Sequence, residues 1–310
     1  MSQIRLVVIV GPTAVGKTAL AIQLAEKFDG EIVSADSRQI YQYMDIGTAK
    51  PTTGERARVP HHLLDVVAPD QTLSVAQYQQ RANATIHDIA ARGKLPFLVG
   101  GTGQYIKAVL EGWHIPTIAP QPELRRRLEA DWQTYGVARL YAELQRVDPA
   151  GAPQIDAQNP RRIIRALEVF YATGQSIITQ RAKTPPPYQT LQIGLTLSRA
   201  KLYRRIEERV DTMLAQGFVD EVKQLLARGY NETLPALSGF GYQHIAKYLR
   251  DELTLAETTQ QIKQLTRRFV QKQYAWFPLD DPNILWLDAE GDVVERARQA
   301  MAEFLEVMGN

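Results

Sequence analysis

The sequence predicts an α/β fold in which a parallel sheet is flanked by helices and carries an inserted, mostly helical subdomain. Three observations predict it. Apolar, β-rich runs recur along the chain with helical patterns after most of them. The first run leads straight into the glycine loop GPTAVGKT, and a helix follows. A helical stretch bounded by prolines at entry and exit interrupts the series of strands.

The elements follow in order. IRLVVIV (4–10) reads as a buried strand, and the helix after the glycine loop runs from 17 to about 28. EIVSA (31–35) is the second strand. Ser74 is a plausible N-cap for a long helix reaching about 91. LPFLV (95–99) is the third strand. From about 112 to 187 the pattern becomes helical, with ELRRRLEADWQTYGVARLYAELQ and NPRRIIRALEVFYATGQ between Pro116, Pro120 and Pro122 on one side and Pro185 to Pro187 on the other. Strands are expected again at 191–197 and 284–287, and helices at 199–215, 219–228, 242–249, 254–276 and 291–307. Thr254 followed by Glu257 has the form of a capping box. The division expected is a core from 1–115, a helical subdomain from 116–190, and core completion with C-terminal helices from 191–310.

Composition narrows the function. With 310 residues, 45% hydrophobic and 23% charged, the chain is globular rather than disordered. A net charge of +2 means that any nucleic acid would be met by local basic patches, not by a generally cationic surface. The lack of cysteine removes disulfides, thiolate chemistry and Cys-containing zinc sites. No targeting segment and no membrane-length apolar run is evident, so a soluble cytoplasmic protein is expected.

Gly11, Pro12, Thr13, Ala14, Val15, Gly16, Lys17 and Thr18 satisfy GxxxxGK[ST] after a strand and before a helix, which makes the fold P-loop NTPase-like. Glycines let backbone N–H groups close around phosphate oxygens, Lys17 adds a mobile charge, and Thr18 offers a hydroxyl to Mg²⁺. The second strand-end carboxylate usual in such folds is missing, because LPFLVGGTG ends in Gly100 and Gly101. Only Asp36 is placed to reach the phosphates, either to hold magnesium through water or to accept a proton; its bland alternative is to cap the next turn. Arg38 and Gln39 suit a base or a backbone phosphate. Lys50 suits a phosphate or a solvated loop, and Tyr41 and Tyr43 suit packing. Thr102 can meet a phosphate or the attacking group, or cap a helix. Adjacent His61 and His62 make a poor metal pair.

Seven blocks stand in one order from Gly11 to Phe277: GPTAVGKT, DSRQIYQYMDIGTAKP, VPHHLLDVVAP, LVGGTGQYIKAVLEG, NPRRIIRALEV, SGFGYQ and TRRFVQKQYAWF. In these the chain resembles the bacterial type of the tRNA dimethylallyltransferase family over nearly its whole length. The resemblance implies transfer of a dimethylallyl group from dimethylallyl diphosphate to N6 of adenosine 37 of tRNA, with Mg²⁺ as cofactor and no obligate protein partner. It implies that Gly11 to Thr18 cradle the diphosphate, that Asp36 is the general base, and that Lys17, Thr102 and Arg205 attend the leaving group. It further implies that the anticodon stem-loop meets Asp36, Ser37, Arg38, Gln39, Thr102, Arg125, Arg126, Arg127, Gln158, Asn159, Pro160, Arg161 and Arg162, with Gln39 the leading base reader. Gly239, Phe240, Gly241, Tyr242 and Gln243, and the basic line of Arg267, Arg268 and Lys272, are further RNA-facing positions. Two departures stand out: WFPLD where many members have WFR, and Gln271, Lys272, Gln273 where KRQ is common. A dimethylallyltransferase acting on free AMP, a P-loop small-molecule kinase and a non-catalytic RNA-binding ATP switch are the alternatives. The first would not need the arginine-bearing insertion, the second needs a lid the GGTG and NPRR blocks do not resemble, and the third should have lost Lys17, Thr18, Asp36 or Thr102.

Overall fold

The computed structural model describes residues 3–116, 118, 121–180, 182–239 and 241–306. The chain begins with β1 (Ile4–Val10), α1 (Lys17–Lys27), β2 (Gly30–Ser34), α2 (Thr53–Arg58), β3 (His61–His62) and α3 (Val75–Ala91). It continues through β4 (Leu95–Val99), α4 (Gly103–Glu111), α5 (Pro122–Tyr135), α6 (Val137–Val147) and α7 (Pro160–Thr173). It ends with β5 (Tyr188–Thr196), α8 (Arg199–Ala215), α9 (Phe218–Ala227), α10 (Tyr242–Leu249), α11 (Leu255–Trp276), β6 (Ile284–Asp288) and α12 (Val293–Glu306).

Two compact units result, one from residues 1–110 with 187–310, the other from 111–186. The larger unit holds one six-stranded sheet in the order β3-β2-β4-β1-β5-β6, with every pairing parallel. Side chains alternate across a strand, so β1 serves two cores. Leu6, Val8 and Val10 face a cluster with Tyr78 and Ile86 of α3, Phe218 of α9 and Tyr242 of α10. Val7 and Ile9 face another with Leu20 and Leu24 of α1, Ile206 of α8 and Met301 of α12. Burial on both faces is why the parallel strands read as unbroken apolar runs.

The smaller unit packs α5, α6 and α7 around Leu128, Leu140, Leu144, Ile163 and Leu167. Its base is pinned by an antiparallel bridge between Trp113 and Lys183, and Thr184 donates its N–H to the Gly112 carbonyl at 2.9 Å.

Several elements differ from expectation, among them α4 (Gly103–Glu111), which no expected range covers. β5 starts at Tyr188 rather than 191, because Tyr188, Gln189 and Thr190 pair with Ile4, Arg5 and Leu6. The polar residues there carried no strand signal. β3 is a two-residue strand, too short for periodicity to reveal, that pairs His61 and His62 with Ile32 and Val33. Helix α2, outside every expected range, follows a capping box between Thr52 and Glu55. No helix among the described residues is long and apolar enough to cross a membrane.

Candidate active site

The sheet order places β2, β4 and β1 side by side, so the segments after their C-terminal ends meet. They are the glycine loop, the turn at Asp36 and the Gly100 to Thr102 corner. Gly16, at φ 111°, caps α1 in the left-handed region where a side chain would strain the loop. Lys17 Nζ folds back to donate to the carbonyls of Gly11 at 3.0 Å and Pro12 at 2.7 Å.

A residue from α11 ties two of these segments together. Gln273 Oε1 accepts from the Thr13 N–H at 2.8 Å and its Nε2 donates to the Gly101 carbonyl at 3.2 Å. A side chain on Gly101 would run into that amide. Removing the amide leaves a loop donor and a strand-end acceptor unpaired. Gln273→Ala should therefore lower unfolding stability by about 1–3 kcal/mol in urea titration and weaken inorganic diphosphate binding in calorimetry.

Asp36 caps the turn with one oxygen and leaves the other open. Oδ1 accepts from the N–H groups of Arg38 at 2.8 Å and Gln39 at 3.4 Å, closing an Asx turn. Oδ2 makes no hydrogen bond among the described residues, and the carboxylate lines a cavity of about 1110 Å³. Lys17, Thr18, Gln39, Tyr43, Arg205 and Arg209 share the wall. Arg205 is oriented by a 3.1 Å hydrogen bond from its guanidinium to the Val15 carbonyl. Arg209, one helical turn further along α8, has no hydrogen bond or ion pair among the described residues.

The cations crowd one another. Burial, then the neighbouring charge of Arg209, pull the Lys17 ammonium down to about 8, against the opposing pull of Asp36. Arg209 is itself lowered by burial, again opposed by Asp36. Lys17, Arg205 and Arg209 share the part of the wall that holds Asp36, and an anion bound among them would relieve their mutual repulsion. Thr18 and the free oxygen of Asp36 are hard donors suited to Mg²⁺. Among the described residues no group of three His, Asp or Glu could hold a metal by itself, so protein ligands alone would not make a closed cage.

Several expected contact residues are engaged elsewhere. Thr102 does not line the cavity. Its hydroxyl accepts from the Ser37 N–H at 2.9 Å and donates to the Ser37 hydroxyl at 3.2 Å, binding β4's end to the turn after β2. Gln39, expected to read a base, donates from Nε2 to the Thr48 carbonyl at 3.2 Å and the Ala49 carbonyl at 3.0 Å, and its Oε1 accepts from Ser34 at 3.3 Å. Its amide is spent on holding the loop. Arg38 likewise donates to the carbonyls of Pro235 at 2.8 Å and Ala236 at 3.2 Å.

Arg125 makes a two-pronged pair with the buried Glu168, at 2.6 and 2.7 Å, so its guanidinium braces the helices of the smaller unit. Asn159 caps α7 by accepting from the Arg162 N–H, with Pro160 at the first helical turn. Gln158, Arg161 and Arg162 are exposed there, and neither arginine has an ion pair among the described residues. Tyr242 is a core residue whose hydroxyl donates to Glu221 at 2.7 Å, while Gly239 packs near Arg38, Gly241 caps α10 and Gln243 is half-buried. Phe240 and Pro120 lie outside the described residues. On α11, Arg268 and Lys272 are exposed, whereas Arg267 is paired with Glu207 and lies over the Tyr203 ring. Lys50 serves neither phosphate nor solvent: it is buried, donating to the Tyr41 carbonyl at 2.8 Å and pairing with Asp45 and Asp65 at 2.6 Å each. His62 pairs with Glu31 at 2.6 Å, in keeping with the poor metal reading.

Arg209 and Gln273 were missed as site residues, although each carried a signal: Arg209 stands four after Arg205 on one helix face, and Gln273 ends the QKQ block. Glu221, which accepts from the N–H groups of Asp45, Ile46 and Gly47 at 2.8, 2.7 and 3.1 Å, carried none.

Fold and site together define a P-loop protein in which Lys17, Arg205 and Arg209 share a cavity wall with Asp36 beside the glycine loop. A family model described as IPP transferase matches residues 39–280. A tRNA dimethylallyltransferase of Roseiflexus sp. (strain RS-1) is 53% identical over 304 residues, 98% of this chain and 99% of the relative. One from Roseiflexus castenholzii is 55% identical over 295 residues, 95% and 96% of the two chains. Among solved structures, the tRNA isopentenylpyrophosphate transferase of Bacillus halodurans is 39% identical with a TM-score of 0.71 and covers 99% of both chains. A eukaryotic dimethylallyltransferase acting on tRNA is 26% identical with a TM-score of 0.80, over 98% of this chain and 80% of that one. The chain belongs to the IPP transferase family of tRNA dimethylallyltransferases.

Proposed function

We infer that this enzyme transfers a dimethylallyl group from dimethylallyl diphosphate to N6 of adenosine 37 in the anticodon loop of tRNA, releasing diphosphate. The observation that carries the reading is the cavity in which Lys17, Arg205 and Arg209 share the wall with Asp36, whose Oδ2 has no hydrogen-bond partner among the described residues. The allylic carbon–oxygen bond breaks as the bond from N6 to that carbon forms, and the N6 proton passes to Asp36. The electron pair of the broken bond stays on the diphosphate, whose growing charge the three cations and the loop N–H groups stabilise. Mg²⁺ held near Thr18 would neutralise further diphosphate charge. The lone pair of the adenine amine is delocalised into its ring, so the base has to be positioned rather than strong.

The adenosine must leave its stack to enter a pocket, at lower cost from a loop than from a duplex. Arg161 and Arg162 on α7, and Arg268 with Lys272 four residues on in α11, are the cations offered to RNA phosphates.

The purified protein with Mg²⁺ and labelled dimethylallyl diphosphate should modify unmodified tRNA, and nucleoside mass spectrometry after digestion should find the label on adenosine 37. Label transferred to AMP alone would overturn the RNA reading. ATP hydrolysis without transfer would return the loop to nucleotide chemistry.

A further inference from the structure

Tyr43 is held in a conformation that favours glycine. Its φ is 65°, in the left-handed region that a bulky side chain enters only at a cost. The backbone around it leaves no alternative. Lys50 holds the Tyr41 carbonyl, and the Gln42 N–H donates to Val67 at 2.9 Å. Met44 is fully buried, and Glu221 grips the next three N–H groups. Anchors on both sides throw the tyrosine outward, where the residue is 45% exposed and lines the cavity.

Within the protein the ring has Tyr230 stacked beside it at 6.5 Å and the Arg228 guanidinium over it at 4.1 Å. Arg228 is exposed and makes no ion pair among the described residues. An exposed cation–π contact returns less than the strained backbone costs. Glycine or asparagine would sit there more easily and keep the turn, so the aromatic ring has its use outside the folded chain.

We propose that Tyr43 and Arg228 form a stacking shelf at the cavity mouth for the nucleobase next to the adenosine that enters the site. This rests on the RNA-modifying reading above. The guanidinium lying over the ring turns its own flat outer face to a base, backed by the ring, and offers its charge to the adjoining phosphate. The target adenosine itself has to reach half-buried Asp36, so the exposed ring meets its neighbour. Stacking on a ring tolerates any base, which suits a position flanking a fixed target.

The test uses the full chain and an anticodon stem-loop carrying 2-aminopurine on one or the other side of the target. Its fluorescence is read without donor, so the result stands apart from whether transfer occurs. Wild type and Tyr43→Phe should quench the probe on one side, and Tyr43→Ala should not. In transfer assays Tyr43→Ala should raise the KM for RNA about tenfold, within the range that removing a stacking ring costs, and leave the KM for dimethylallyl diphosphate within twofold. Arg228→Ala should shift the RNA KM in the same direction. Tyr43→Gly, which relieves the φ constraint, should unfold no earlier than wild type while binding RNA as weakly as the alanine variant. Quenching and RNA KM unchanged in Tyr43→Ala would overturn the shelf. So would a rise confined to the diphosphate KM, which would make Tyr43 part of the donor wall. Wild-type protein that quenches the probe but transfers nothing would refute the reaction and leave the shelf standing.

Discussion

Asp36→Asn is expected to lower kcat by roughly 10²–10⁴-fold, the range for a lost general base, while the protein unfolds at the wild-type temperature. Asparagine keeps an oxygen where Oδ1 accepts from Arg38 and Gln39, so the turn after β2 survives. What disappears is the second oxygen, the one without a partner. Asp36→Ala removes both and should lose stability as well, by about 0.5–1.5 kcal/mol for the turn's hydrogen bonding. The pair of variants separates chemistry from scaffolding. A second readout comes from Lys17, whose pKa Asp36 raises. Without that charge the ammonium titrates below about 8, so any residual activity of Asp36→Asn should decline at lower pH than wild type. Activity of Asp36→Asn within threefold of wild type would mean that the carboxylate only caps the turn and that the proton leaves by another route.

The parallel sheet was legible because buried strands write themselves as apolar runs, and the glycine loop because its spacing is set by phosphate geometry. Asp36 and Lys17 were legible for the same reason: each stands at a strand end or loop whose place in such folds is fixed. The residues read less well were those with a long polar side chain in a recognisable block. Gln39 looked like a base reader because an amide is free to hydrogen-bond in sequence, but the carbonyls of Thr48 and Ala49 take its donors in the fold. Arg125 could not be told from a surface arginine until Glu168, from another helix, came against it. Lys50 is the sharpest case, since a lysine in a polar loop gives no sign that two aspartates and a carbonyl will bury it. Sequence shows which groups a chain owns; partners more than a helical turn away decide whether those groups remain available.

Arg209 makes the second large prediction, and its sign can be worked out. Burial and Arg209 lower Lys17 from 10.5 to about 8. Below about 8 it is charged in both folded and unfolded chains; between there and 10.5 only the unfolded chain holds the proton, so this group favours folding as pH rises through that window. Function runs the other way, because the diphosphate needs the charged form. kcat/KM, which reports the free enzyme, should therefore fall as pH rises through about 8. Arg209 is the largest charge–charge contributor to that lowering. Arg209→Ala should move the basic limb upward and at the same time reduce kcat/KM by about 10²–10³-fold, the effect of losing one preorganised donor to a developing oxyanion. Arg209→Lys should keep the limb near its wild-type position and recover part of the rate. Opposed changes in limb and rate are the signature of an arginine that works on both the leaving group and its lysine. If the limb stays put and the rate falls less than threefold, Arg209 is a cation of the wall alone, and Arg205 with Lys17 carries the leaving group.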